Sequence, residues 1–157
     1  MTIDPALRDA LQHASEHCVC LHTRMAARAI TRAYDAAMAP LGLEATQFTL
    51  LAAIAANPTG SVTEMADRLA LERTSLSRNL TVLSKRGLIV AGAAKGRSIT
   101  YAVTETGQSL LAAALPLWRK VQAGLEGEIG ERGWTETRQS LRQLRHRVAR
   151  VPDGHSA

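Results

Sequence analysis

Residues 61–107, SVTEMADRLALERTSLSRNLTVLSKRGLIVAGAAKGRSITYAVTETG, decide how this chain is read. Thr63 stands before an apolar set, Met65, Ala66 and Leu69, at helical spacing, and a Ser/Thr side chain at such a start caps the free N–H groups of a first turn. A short break at Ala70-Leu71-Glu72-Arg73 leads to a second helix, expected to be capped by Thr74, with Leu76, Leu80 and Leu83 turned inward at i, i+4 and i+7. Its other face carries Ser75, Ser77, Arg78 and Asn79, short polar groups and one arginine gathered near the helix N-terminus. A helix laid in a major groove meets base edges and phosphates at that end. Gly87 stops the helix. Leu88-Ile89-Val90 and Ile99-Thr100-Tyr101-Ala102-Val103 then read as two strands around a tip, Ala93-Ala94-Lys95-Gly96-Arg97. Such a tip, basic and glycine-bearing, suits reaching into a minor groove. The expected fold is mainly α with a small β wing, a winged helix-turn-helix. The residues expected to meet DNA are Arg73, Thr74, Ser75, Ser77, Arg78, Asn79, Lys95 and Arg97.

The charge distribution agrees with this. The chain has 157 residues and a formal net charge of +5. Residues 1–60 carry four Lys/Arg against five Asp/Glu, whereas residues 61–100 carry seven against three, and from Arg73 to Arg97 there are six bases and no acid. A local excess of this kind is what a phosphate-binding surface requires. A basic face that is merely solvated is the alternative, and the coincidence of charge with geometry argues against it. Aromatic residues are scarce and Ala and Leu abound, which favours helices over sheet. The first twenty residues hold no apolar run and include Asp4, Asp9 and Glu16, so no signal peptide is expected. No uninterrupted apolar stretch approaches the ~18 residues of a membrane span, and a cytoplasmic protein without membrane contact is expected.

Outside the central stretch the pattern is helical. One long helix is expected from about Pro5 to Met38, because Leu7, Leu11, Ala14, Cys18, Leu21 and Met25 step by fours and threes in a heptad seam. Pro40 and Gly42 end it, and Thr46 is expected to cap a helix that stops near Asn57-Pro58. After the wing, a helix from Thr104 to about Leu125 carries Leu111, Ala114, Trp118, Val121 and Leu125, with Pro116 expected to kink it. A last helix, about Thr135 to Arg150, is expected to bury Leu141, Leu144 and Val148, and a disordered tail is expected over 152–157. Two heptad-bearing ends, 1–40 and 105–150, flank a reading region at 46–104. The layout implies a single unit per chain, a homodimer whose terminal helices interlock, and a pseudo-palindromic double-stranded operator with half-sites about 10 base pairs apart.

These residues resemble the MarR family of transcriptional regulators over nearly the whole chain. Ser77-Arg78, followed by Leu83 and Lys85-Arg86-Gly87-Leu88-Ile89, is similar to the family's recognition helix and its exit. Arg97, seven residues before Thr104, together with Val103-Thr104-Glu105-Thr106-Gly107, matches the wing arginine and its close. Gln47-Phe48-Thr49-Leu50-Leu51 resembles the start of the second helix. The family usually has aspartate two residues before the wing arginine, where Lys95 stands here. The resemblance implies a repressor, less often an activator, released by a small-molecule effector or by oxidation. The effector pocket it implies lies between the dimer helices and the reading head, with His22, Met25, Arg28 and Trp118 as walls.

Counting back 27 residues from Gln47 reaches Cys20, where organic-hydroperoxide-sensing members of the family carry their reactive cysteine. Arg28, Thr31 and Tyr34 fall in register with that group, whereas two further tyrosine positions hold Arg24 and Ala45. On one helix Tyr34 would lie about 21 Å from Cys20, so the two could meet only across a dimer. Cys20 reads either as a sensing thiol, with Cys18 resolving across the dimer, or as a small residue packed in the seam. His13, His17, Cys18, Cys20 and His22 include an i, i+4 histidine pair, but on a continuous helix Cys18 and Cys20 point about 200° apart, so no metal site is expected. No cofactor is expected and no enzyme: the chain lacks a Gly-rich phosphate loop, a nucleophile elbow and a helical His-Glu-x-x-His. A winged module used for protein contacts is a further class, which the acid-free basic stretch disfavours.

Overall fold

Two helices, not one, occupy residues 5–38. The computed structural model describes residues 3–58, 61–95 and 98–148. In it α1 spans Pro5–His17 and α2 spans Val19–Met38. Cys18 sits between them in extended backbone (φ −72°, ψ 102°). Its Sγ accepts from the Leu21 amide at 3.4 Å, capping α2, while an imidazole nitrogen of His22 (Nε2) reaches back to the Glu16 carbonyl at 2.9 Å. Both helix ends at the break therefore find side-chain partners, and those partners stabilise an interruption that the heptad spacing alone does not reveal. The seam residues themselves stay exposed in the single chain, Leu7 at 52% and Leu11 at 54%, and α1 buries no residue.

A 3-10 turn at Ala39–Leu41 ends in Gly42, left-handed at φ 60°, and leads into α3 (Ala45–Ala56). Glu44, not Thr46, caps this helix, two residues earlier than expected and in a capping box with Gln47, and Asp35 of α2 accepts from the Ala45 amide at 2.7 Å. Next come α4 (Val62–Leu69) and α5 (Arg73–Lys85), then an antiparallel hairpin of β1 (Ile89–Lys95) and β2 (Ser98–Val103). Ile89 pairs with Val103 and Ala91 with Tyr101, but the register shifts between Ala91 and Ala94, so the hairpin bulges before its tip. The helix α6 runs Glu105–Ile129, through Pro116, and α7 runs Glu131–Val148, starting four residues before the expected Thr135.

The chain forms two compact units, Met1–Leu115 and Pro116–Ala157. The core of the first is built from Leu50, Leu51 and Ile54 of α3, Met65 and Ala66 of α4, Leu76, Leu80 and Leu83 of α5, and Leu88 and Ile89 at the wing base. Burying each such leucine contributes roughly 1.5–3 kcal/mol, so this cluster is what holds α5 in place. In the second unit Arg132 pairs with Glu136 and the Arg138 guanidinium lies 5.7 Å from the Trp134 ring centroid. Leu141 and Val148, expected to be buried, are about half exposed there, and Leu144 is half-buried. Among the described residues no single helix is long and apolar enough to cross a membrane.

Candidate nucleic-acid interface

The helix-turn-helix is fixed at both of its helix ends. Ser61, not Thr63, caps α4: its Oγ accepts from the Glu64 amide at 3.1 Å, and Glu64 returns the favour by accepting from the Ser61 amide at 2.8 Å. The helix closes on Ala70, left-handed at φ 51°, whose amide bonds back to Ala66 and Asp67. Ala70 is the one non-glycine with positive φ among the described residues. The turn follows from that backbone reversal, and the next helix starts at Arg73 behind Glu72 at the cap position, so Thr74 lies inside the first turn.

From there α5 separates its faces as its spacing predicts. Leu76 and Leu83 are fully buried and Leu80 nearly so, while Arg73, Thr74, Ser75, Ser77 and Arg78 are exposed. Asn79 behaves differently. It is half-buried, and its Nδ2 donates to the Ser75 carbonyl at 2.9 Å, one turn back. Thr81 likewise donates to the Ser77 carbonyl. The outer face thus offers two guanidinium groups and three hydroxyls to solvent, all within the first two turns.

The exit of α5 is held by the wing base. Gly87 takes φ 68°, Leu88 donates to the Leu83 carbonyl at 3.0 Å, and Thr104 Oγ donates to the Gly87 carbonyl at 2.7 Å. The same Oγ accepts from the Gly107 amide at 3.1 Å, and the Thr104 amide donates to the Leu88 carbonyl at 3.0 Å. Gly107 is buried against this knot, and a Cβ there would collide with the Leu88 carbonyl and the Val103 side chain. The sequence Thr-x-x-Gly at the start of α6 is therefore a latch between the wing base and that helix. At the far end of the wing, Lys95 closes β1 opposite Ser98. Its side chain, like Arg97 as a whole, lies outside the described residues.

Arg86 stands apart from the other bases of the stretch. Its Nη1 donates to the Gly42 carbonyl at 2.7 Å and to Gln47 Oε1 at 3.3 Å, 44 and 39 residues away in sequence. Arg68 similarly reaches the Ala53 carbonyl at the end of α3, at 3.2 Å. Neither contact has a signature in the local sequence, because both depend on how α3 packs beside the helix-turn-helix.

A cavity of about 270 Å³ opens between α2, α3 and the helix-turn-helix turn, lined by Ile30, Thr31, Tyr34, Ala45, Thr46, Thr49, Leu69 and Leu71. His22, Met25 and Arg28, expected as pocket walls, are exposed on α2 and do not line it; Trp118 belongs to the second unit and is half-buried. Tyr34 is on the cavity wall. Cys20 is exposed and Cys18 half-buried, both as free thiols. The His13 and His17 rings stack 4.1 Å apart, with Nδ1 of His17 on the His13 carbonyl, and no group of three metal-ligating side chains occurs among the described residues.

A profile of the MarR family matches residues 41–98. The M. tuberculosis transcriptional regulator MosR is 36% identical, with 88% of this chain and 100% of that one covered, at a TM-score of 0.79. The same regulator in complex with DNA is 37% identical over 86% and 100% of the two chains, at a TM-score of 0.75. The transcriptional repressor CouR, bound to a 23-mer DNA duplex, is 24% identical over 87% and 95%, at a TM-score of 0.71, a likeness of fold. No curated protein sequence matches the chain. MosR is 36% identical over the whole of that chain, and the family profile spans α3, the helix-turn-helix and the first strand of the wing: the chain belongs to the MarR family of transcriptional regulators.

Proposed function

We propose that the protein is a cytoplasmic, sequence-specific regulator without catalytic activity, which binds a pseudo-palindromic operator in double-stranded DNA as a homodimer and represses from there. The observation that carries this reading is the outer face of α5, where Arg73, Thr74, Ser75, Ser77 and Arg78 are exposed while Leu76, Leu80 and Leu83 are locked in the core. Exposed hydroxyls and guanidinium groups at a helix N-terminus suit phosphates and guanine edges alike. Asn79 and the wing residues Lys95 and Arg97 complete the proposed contacts, Arg97 in a minor groove. The DNA complex of MosR and that of CouR support the class of partner. The dimer would form through 1–40 and 105–150, with 46–104 reading, and it gives a partner to the exposed Leu7, Leu11, Leu141 and Val148. The test is a mobility shift across a salt titration, with genomic DNA flanking the protein's own coding sequence set against random duplex. Equal binding to both at moderate salt overturns the reading.

Release is proposed to come from a small-molecule effector in the cavity beside Tyr34, which touches both α2 and the turn before α5. His22, Met25 and Arg28 then serve as surface residues of α2, and Trp118 as packing within its own unit. A second reading is favoured by the break at Cys18. It leaves Cys20 exposed in the first turn of α2 and Cys18 outside the helix at its cap, both as free thiols. In that reading the Cys20 thiolate attacks an organic hydroperoxide, the O–O bond breaks, an alcohol leaves and a sulfenic acid forms. The Cys18 thiol of a second copy then displaces water to give a disulfide across the dimer, with Tyr34 of that copy favouring the thiolate by hydrogen bonding. Treating the operator complex with an organic hydroperoxide separates the two. Release of wild type but not of Cys20→Ser supports the thiol; equal behaviour of both leaves the effector as the signal.

A further inference from the structure

Six bases lie between Arg73 and Arg97 without an acid, and charge alone would count all of them toward phosphate. Arg86 does not fit that count. It follows the last residue of α5, and its guanidinium turns away from the helix axis to the turn between α2 and α3, where it donates to the Gly42 carbonyl and to Gln47. Both acceptors are themselves fixed. Gly42 holds a left-handed backbone at φ 60° and donates to the Ala39 carbonyl at 2.9 Å. Gln47 is 7% exposed, and the oxygen that meets Arg86 also faces the Glu44 amide at 3.5 Å. Asp35 of α2 holds the adjoining Ala45 amide. A run of hydrogen bonds thus joins α2 and the turn before α3 to the C-terminal end of α5.

Resting on the DNA-binding reading above, we infer that Arg86 is a positioning residue for operator recognition: through Gly42 and Gln47 it fixes the angle at which α5 leaves the helix-turn-helix, and it makes no phosphate contact. The physical reason is leverage. Hydrophobic packing through Leu76, Leu80 and Leu83 resists separation of α5 from the core but leaves sliding and rotation comparatively soft, because dispersion contacts carry little direction. A charge-assisted hydrogen bond at the helix end is directional and stops that rotation. Two half-sites must be met at once by a rigid pair of helices, so a small angular error at each is felt in specific binding and hardly in non-specific binding.

The experiment is a double-mutant cycle on full-length protein with Arg86→Ala, Gln47→Leu and the pair, using a duplex selected by the wild type from a randomised pool, with random duplex as control. Failure of the wild type to select any sequence would defeat the DNA-binding reading itself, and is thereby distinct from the outcomes below. Arg86→Ala is expected to weaken specific binding about tenfold or more, the scale of one charge-assisted hydrogen bond. Non-specific affinity and the salt slope should stay at wild-type values, and the pair should be no weaker than Arg86→Ala alone. Gln47→Glu, which keeps the acceptor, should bind as wild type even where Gln47→Leu folds poorly. A salt slope lowered by about 0.9, equal loss on both duplexes, or additive effects in the pair would show Arg86 on phosphate and overturn the inference.

Discussion

Replacing Gly107 by alanine sets two effects of known size against each other. In a helix interior alanine is better than glycine by about 0.8–1.0 kcal/mol, so intrinsic preference makes the change stabilising. Sterics oppose it, because the new Cβ would enter the Leu88 carbonyl and the Val103 side chain, and Gly107 is buried. Overpacking costs typically 1–3 kcal/mol, and the upper part of that range applies where the obstacle is backbone. The Leu88 carbonyl also accepts from the Thr104 amide, so moving it weakens the latch as well. The collision wins, and a net loss of about 1–2 kcal/mol is expected. For a chain of this size each kcal/mol lowers Tm by roughly 2–4 °C, giving a fall of about 2–8 °C in a thermal melt followed by circular dichroism. Operator affinity measured by fluorescence anisotropy should fall with it, since the displaced carbonyl follows the exit of α5. A Tm equal to or above wild type would mean that α6 is not pressed onto the wing base, and the latch would have to be abandoned.

Other substitutions probe the same frame. Ala70→Gly relieves a left-handed alanine that costs roughly 1–2 kcal/mol, partly offset by unfolded-state entropy, so a small gain in stability is expected; a loss in chemical denaturation would contradict the strained turn. Ser61→Ala removes the cap of α4 and should cost about 1 kcal/mol, whereas Thr63→Ala should leave the denaturation midpoint within error, and the reverse order would return the cap to Thr63. Deleting residues 1–20 should leave the helix-turn-helix folded, because α1 buries nothing in the single chain, but convert a dimer to a monomer in sedimentation; a truncated protein that still sediments as a dimer refutes the proposed interface.

The reading helix was legible because its determinants are local. Leu76, Leu80 and Leu83 recur at helical spacing, Gly87 ends the run, and Thr104 and Gly107, three residues apart, mark the return. The break at Cys18 was not, since a heptad seam continues through it. What interrupts the helix is the reach of Cys18 to the Leu21 amide and of His22 to the Glu16 carbonyl. Capping was misplaced for a related reason: at Glu44, Ser61 and Glu72 the residue in the cap position was passed over for the threonine two residues later. Asn79 shows the limit of reading exposure from spacing, because an amide on the outer face can turn back to its own helix. Arg86 was hidden among bases by charge, and its partners lie 39 and 44 residues away, where periodicity carries no information.

The central claim is that the outer face of α5 reads DNA, and Arg78 tests it most directly. Arg78 is exposed, has a buried leucine on either side at Leu76 and Leu80, and belongs to no latch. Binding of wild type and Arg78→Ala to the selected duplex should be measured by anisotropy over a range of salt, with thermal melts in parallel. The account predicts an unchanged Tm, specific affinity lower by about 1–3 kcal/mol if Arg78 meets a guanine, and a salt slope reduced by about 0.9 if it meets phosphate. Wild-type affinity and an unchanged slope in the variant would contradict it.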